Sequence, residues 1–179
     1  LGLVIDEPDR QFEKLYQKAK EDNYDIVVCD VNMVFPDQTR VISSCVEKDI
    51  NTKEQIKKQM LNFYPTAWNK IYKRSLFENV LFKKGVWYED TELIYKMFPY
   101  INSIGTVKEP LINYVQRNNS IIKTYDKRLF DYIDNFNGIV EFYKTNGFYD
   151  EYKKELEYCY VRYLYNTFII NACHFKKKD

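Results

Sequence analysis

The chain has 179 residues, with 27 Lys and Arg against 26 Asp and Glu and a formal charge of +1; a chain this long fits one domain, which hides about 70% of its unfolded surface. The balanced charge excludes the strong basic field of a nucleic-acid binder, and no apolar run approaches the ~20 residues of a membrane span. Seventeen Tyr and twelve Phe supply apolar area with polar tips, suited to a core and to a sugar-stacking wall alike.

Leu1 to Ile5 reads as a short buried strand, too short for a signal peptide, followed by the turn Asp6-Glu7-Pro8-Asp9. The first residue is not Met, and the chain reads as a fragment of a longer protein. Phe12, Leu15, Tyr16 and Ala19 recur at helical spacing and predict an amphipathic helix ending near Asn23. Ile26 to Cys29 is a continuous β-branched apolar run, typical of a strand covered on both faces. Helix followed by buried strand is an α/β signature.

Residues 31 to 50 read as an extended excursion with a turn at Pro36-Asp37 and a second strand over Arg40 to Val46, a hairpin at the sheet edge. Asn51 or Thr52 caps a helix through Leu61 that turns Ile56, Met60 and Leu61 inward. Ser103 to Val107 and Leu111 to Val115 read as two short strands about Pro110. From Asp126 the pattern is helical: Phe130, Ile133, Phe136 and Val140 mark one helix, broken near Asn146-Gly147. Tyr152, Leu156, Cys159, Tyr163 and Phe168 mark another.

Cys29, Cys45, Cys159 and Cys173 lack C-x-x-C spacing, and His174 is the single histidine, so zinc is not expected. The cysteines read as buried thiols of a reducing cytosol, with disulfides as the alternative. His174 reads as a surface or helix-end residue, and Lys176-Lys177-Lys178 either as a solvated end or as a contact to anionic lipid.

The stretch richest in chemistry is Gly85-Val86-Trp87-Tyr88-Glu89-Asp90-Thr91-Glu92-Leu93, preceded by Pro65 to Arg74. Leu93, Ile94, Met97 and Phe98 recur behind the carboxylates, so Glu89 and Asp90 are expected where a loop enters a helix. There the backbone N–H groups and helix dipole favour an ionised carboxylate, a suitable general base; the plainer alternative is a helix cap. Trp68 is a core aromatic or a sugar-facing wall, and Lys70 a phosphate contact or a solvated side chain. Trp87 and Tyr88 are candidates for an acceptor platform on a loop.

Taken together, Trp68-Asn69-Lys70-Ile71-Tyr72-Lys73-Arg74-Ser75-Leu76-Phe77, Phe82, Trp87 to Leu93, Pro110 to Tyr114 and Arg117-Asn118-Asn119-Ser120-Ile121 resemble the family 2 glycosyltransferases of GT-A fold. The nearest branch is the bacterial one that builds capsule, lipopolysaccharide and other surface polysaccharide. The resemblance runs from about Phe12 to about Ile121.

It implies a partial GT-A domain over residues 1–122, a mixed α/β sheet, with an appended helical hairpin over 123–179. It implies an inverting transferase of the cytoplasm or the inner face of the cell membrane. Such an enzyme moves a sugar from a nucleotide-sugar donor to a glycan or lipid-linked hydroxyl, with Asp90, or else Glu89, as base. It implies Mg or Mn on an Asp-x-Asp motif, for which Asp6 and Asp9 are the candidates. These are three apart with a proline between, unlike the family pattern, so the motif has degenerated or residues are missing around Val4 and Ile5; the plain alternative is a turn and a cap.

Arg117 and Ser120 are placed by the resemblance near the donor phosphates, or else form an Asn-rich turn. Asp25-Ile26-Val27 also resembles the family, in a structural role. The family's nucleotide-binding strands precede Leu1, so the fragment is not expected to bind nucleotide sugar well alone. The alternatives from other classes are a non-catalytic module whose aromatic helices dock a partner, and a single-stranded nucleic-acid binder.

Overall fold

The computed structural model describes residues 3–4, 8–116 and 127–174, with side chains from 10–116 and 127–174. A five-stranded mixed sheet is built on its central strand, β2 (Ile26–Val34), after a two-residue β1 (Leu3–Val4) and helix α1 (Pro8–Glu21). Its first six residues are buried, as a run without polar alternation requires when both faces are covered.

The edge hairpin is present. Strand β3 (Thr39–Ile42) returns antiparallel to β2, Val34 opposite Thr39, and stops short of Val46. Helix α2 (Lys53–Met60) is capped by Thr52, whose Oγ1 accepts from Gln55 N at 3.3 Å, and it buries Ile56 and Met60. Strand β4 (Lys70–Tyr72) pairs with the start of β2, Val28 opposite Lys70. Helix α3 (Glu89–Met97) follows.

The two strands expected about Pro110 are one, β5 (Ile104–Val115), parallel to β2 and carrying β1 on its far edge. Proline donates no ladder hydrogen bond, and the strand absorbs it by slipping register, so that Cys29 faces Val107 and Asp30 faces Pro110. A bulge keeps a strand continuous where two short ones were expected.

Helices α4 (Asp131–Thr145) and α5 (Tyr149–Tyr163) form the expected hairpin, turning at Gly147 with φ +75°, and α5 continues as a π-helical stretch over Leu164–Ile169. The buried face of α4 is Tyr132, Asn135, Phe136, Ile139 and Tyr143. Of the residues expected there, Phe136 is buried, Phe130 is exposed, and Ile133 and Val140 are half-buried. Regions 1–122 and 123–179 share one core. Phe136, Ile139, Tyr143, Tyr152 and Leu156 lie in one cluster with Ile26, Val28, Ile94 and Phe98. A second cluster on the other face of the sheet packs Leu15, Tyr24, Val27, Cys29 and Ile112 with Ala19, Trp68 and Ile71 from α1, the loop before β4, and β4.

Asp25 has the structural role expected of it. Its Oδ2 accepts from Asn102 N at 2.8 Å and its Oδ1 lies 3.2 Å from Lys73 Nζ, joining the start of β2 to the turn before β5 and to the residue after β4. All four cysteines are free thiols, but only Cys29 and Cys159 are buried; Cys45 and Cys173 are exposed, Cys45 with a left-handed backbone (φ +64°) in the chain leaving the hairpin. His174 is exposed just past the last helical turn. Among the described residues no helix is long and apolar enough to cross a membrane.

Candidate functional site

Glu89 opens α3, so the two carboxylates stand where loop becomes helix. The cap residue is Tyr88, in the left-handed conformation at φ +60° with no side-chain cap bond, and Asp90 is the second residue of the helix. Asp90 Oδ1 accepts from Thr91 N at 2.8 Å, and Tyr88 O accepts from the same N–H at 3.1 Å. The carboxylate therefore meets one backbone donor without being the cap.

The helix start does not hold Asp90 in the ordinary carboxylate range. Half-burial raises its pKa from 3.8 to about 6, and the neighbouring Glu89 charge adds to the rise; the Thr91 N–H and Lys70 oppose it. Desolvation outweighs the donors because the side chain is packed rather than solvated. A carboxylate titrating near 6 is ionised at neutral pH and is a stronger proton acceptor than one at 3.8.

A tyrosine held left-handed costs about 1–3 kcal/mol of backbone strain, and the restraint that holds it comes from α4. Trp87 N donates to Asp131 Oδ2 at 2.8 Å, and Asn135 Nδ2 donates to Trp87 O at 2.7 Å and Tyr88 O at 3.1 Å. Tyr132 stacks on Tyr88 with ring centroids 3.7 Å apart, and the Arg128 guanidinium lies 3.9 Å over the Trp87 ring. The two loop aromatics thus have rings packed on their own chain. Asp131, Tyr132 and Asn135 were not singled out from the sequence; the available signal was a polar Asn135 between apolar Tyr132, Phe136 and Ile139 on one helical face.

Lys70 is neither solvated nor poised for an outside phosphate. It is buried, and its Nζ donates to Tyr64 O at 2.8 Å, Thr66 O at 2.6 Å and Asn69 Oδ1 at 2.5 Å, so all three ammonium protons are committed within the chain. Burial pushes its pKa down to about 7, while attraction to Asp90 pulls it up. Asn69, also buried, donates from Nδ2 to Cys29 O at 3.0 Å, and Cys29 N donates back to Asn69 O at 3.0 Å. The loop entering β4 is thereby fixed to β2. Glu92, one turn into α3, is buried beside Lys96 (2.5 Å) and Lys83 (3.7 Å), and Gly138 of α4 leaves it room, since a Cβ there would come within 2.7 Å of Oε1.

Trp68 is half-buried against the second core cluster and stacks on Tyr114 at 5.3 Å. The structure therefore brings Lys70, Glu89 and Asp90 to one side of β4 and the Trp87–Tyr88 loop to the edge of α4, with Trp68 on the α1 side. Asp6, Arg117 and Ser120, and the Val4–Ile5 junction, lie outside the described residues, and of Asp9 only its place in α1 is described. Among the described residues no group of three or more His, Cys, Asp or Glu is arranged to hold a metal ion.

Asp90 lines neither of two cavities on the molecule. One is a narrow space among Tyr132, Phe136, Tyr160, Tyr163 and Phe168, adjoining the clamp on Tyr88. The other is wider and lies beside α1. Asp90 is thus a carboxylate on a packed helix start, apart from both spaces.

No family model matches the sequence. The chain is similar to "Putative glycosyltransferase EpsH" of Bacillus subtilis (strain 168), 27% identical over 161 residues. The match covers 84% of this chain and 46% of that protein, so the chain spans less than half its relative's length.

Proposed function

We propose that the chain is part of a glycosyltransferase, and more finely of the family 2, GT-A type that builds bacterial surface polysaccharide. Support comes from the similarity to a protein with that activity in its name, the mixed α/β sheet, and the motif resemblance over Trp68 to Leu93. The observation that carries the reading is Asp90: a carboxylate raised to about 6 in the first turn of α3, directly behind a loop fixed by α4. Asp90 is the general base that takes the proton from an acceptor hydroxyl as it attacks the donor's anomeric carbon, with inversion. Glu89 keeps the local charge negative and is the second candidate.

Lys70 acts as an internal post, holding the Tyr64–Asn69 loop through its three donors and balancing the ionised Asp90. Trp87 and Tyr88 border the acceptor site, Trp68 forms a wall beyond β4, and Arg117 and Ser120 are the proposed contacts to the donor phosphates on the sequence resemblance alone. A divalent cation, Mg or Mn, supplies charge neutralisation on the departing diphosphate when bound, and Asp6 and Asp9 are its proposed ligands on the sequence resemblance alone. The partners are a nucleotide sugar and a glycan or lipid-linked acceptor, at the cytoplasmic face of the membrane.

The test is Asp90→Asn in the intact protein. Loss of a general base lowers turnover by about 10²–10⁴-fold while the fold, read by circular dichroism, persists; turnover within a few-fold of wild type removes Asp90 from this role. A non-catalytic docking module is the second reading, favoured by the exposed Tyr158, Val161, Tyr165 and Ile169 spaced three and four apart along the C-terminal helix. Unchanged turnover in that variant would move the weight to it.

A further inference from the structure

Across the sheet from Asp90 lies a cavity of about 330 Å³ between the last turns of α1 and the β2–β4 pair. Alternation along the strands separates the two places: Val27 and Ile71 face α1 in the second core cluster, while Val28 lies in the main core and its partner Lys70 interacts with Asp90. The cavity is therefore distinct from the proposed acceptor site, and nothing in the mechanism uses it.

Its floor is apolar, made by Ala19 and Ile71 over the fully buried Val27, and its rim carries Tyr16 and two ammonium groups, Lys20 and Lys73. Tyr16 is 57% exposed, with Lys20 Nζ 5.5 Å from the centroid of its ring. No carboxylate among the described residues pairs with Lys20. The acid at the cavity, Asp25, is already satisfied by Asn102 and Lys73, and Lys73 remains 40% exposed. The space thus offers an apolar face, an exposed tyrosine ring with an ammonium group beside it and one positive charge beyond those paired with Asp25, the complement of a ring that is apolar on one face and carries an acidic group.

We propose that this cavity binds an acidic sugar unit of a glycan, its C–H face on the Ile71 floor and Tyr16 ring, its carboxylate between Lys20 and Lys73. The choice of a sugar over other ringed acids rests on the glycosyltransferase reading. A site one sheet thickness from Asp90 would hold a charged chain away from the reacting end.

The experiment is amide and side-chain NMR of the 179-residue chain titrated with oligogalacturonate, with neutral maltooligosaccharide of equal length and with inorganic phosphate, and no nucleotide sugar present. Oligogalacturonate is expected to shift Tyr16, Asn23 and Ile71 saturably. Lys20→Glu and Tyr16→Ala are each expected to weaken it about fivefold or more, the loss typical of one partly exposed ionic or ring contact, while Lys154→Glu on distant α5 leaves it unchanged. Absence of saturable shifts, equal binding of the neutral oligosaccharide, equal effect of phosphate alone, or indifference to both cavity variants overturns the proposal. Because no turnover is read, a failure here is separate from a failure of the Asp90→Asn test.

Discussion

The side-chain amide of Asn135, in the second turn of α4, donates at 2.7 Å to the carbonyl of Trp87, 48 residues earlier in the chain. It donates also to Tyr88 O, so one buried amide bridges the two carbonyls that lead into the carboxylates. Asn135→Ala removes the Asn135 donor from Trp87 O inside the protein, while Tyr88 O keeps the Thr91 N–H, at a cost of about 1–3 kcal/mol. The expected result is a midpoint lowered accordingly in urea with an unchanged m-value. Trp87 fluorescence should report loosening before the global transition.

Asp90 carries a folded-state pKa above its ordinary value, so folding favours the protonated form. The resulting stabilisation is complete below the unfolded value near 3.8 and is lost as the pH rises through about 6. Asp90→Asn keeps an acceptor for Thr91 N while removing the charge. It is expected to stabilise the chain by about 1–3 kcal/mol at pH 7.5, the free energy of holding the carboxyl near 6 in place of 3.8, and to match wild type near pH 4. Thermal melts across that range check it, and a variant less stable at pH 7.5 would mark the carboxylate as a net structural asset instead.

Gly105 sits under the Tyr24 ring, where an added Cβ would lie 2.8 Å from Cδ2 and 3.0 Å from Cγ. Tyr24 is buried, and its hydroxyl donates to Asp49 Oδ2 at 2.8 Å with Asp22 Oδ2 3.0 Å away as the alternative acceptor, so the ring has little freedom to withdraw. Gly105→Ala is expected to cost about 1–3 kcal/mol through overpacking, despite the gain a strand usually draws from losing a glycine. Equilibrium unfolding measures it.

The thiols divide by exposure. Cys45 and Cys173 are open, whereas burial pushes Cys29 and Cys159 up to about 11. Two thiols are expected to react promptly with a disulfide reagent in native buffer at pH 8, and four in denaturant. Prompt reaction of four in the native protein would contradict the packing of Cys29 on Asn69 and of Cys159 on Met60.

The order of elements was legible in the sequence wherever apolar spacing is uncompromised: β2 from Ile26 to Cys29, α2 from Ile56 and Met60, the α4–α5 break at Asn146-Gly147. Three details were not. Pro110 reads locally as a strand breaker, but a bulge against β2 accommodates it, which is a property of the pair and not of the residue. The buried stripe of α4 includes Tyr132 and Asn135, which hydropathy counts against burial; the loop carbonyls and the Tyr88 ring they meet become visible only in three dimensions. The candidate site was legible as a loop-to-helix junction at Glu89, but the dipole argument gave Asp90 a low pKa. Packing around the side chain reverses that direction, and no pattern of residue types encodes packing.

The core that unites Ile26 and Val28 with Phe136, Tyr143 and Leu156 makes the helical hairpin a bearing for the loop before α3. A chain cut after β5 would keep Asp90 in its sequence and lose the parts that fix the Trp87–Tyr88 turn. Exchange of this hairpin between relatives would then carry the setting of the carboxylate along with it, so swaps at that seam become a way to retune the site without touching a residue within it.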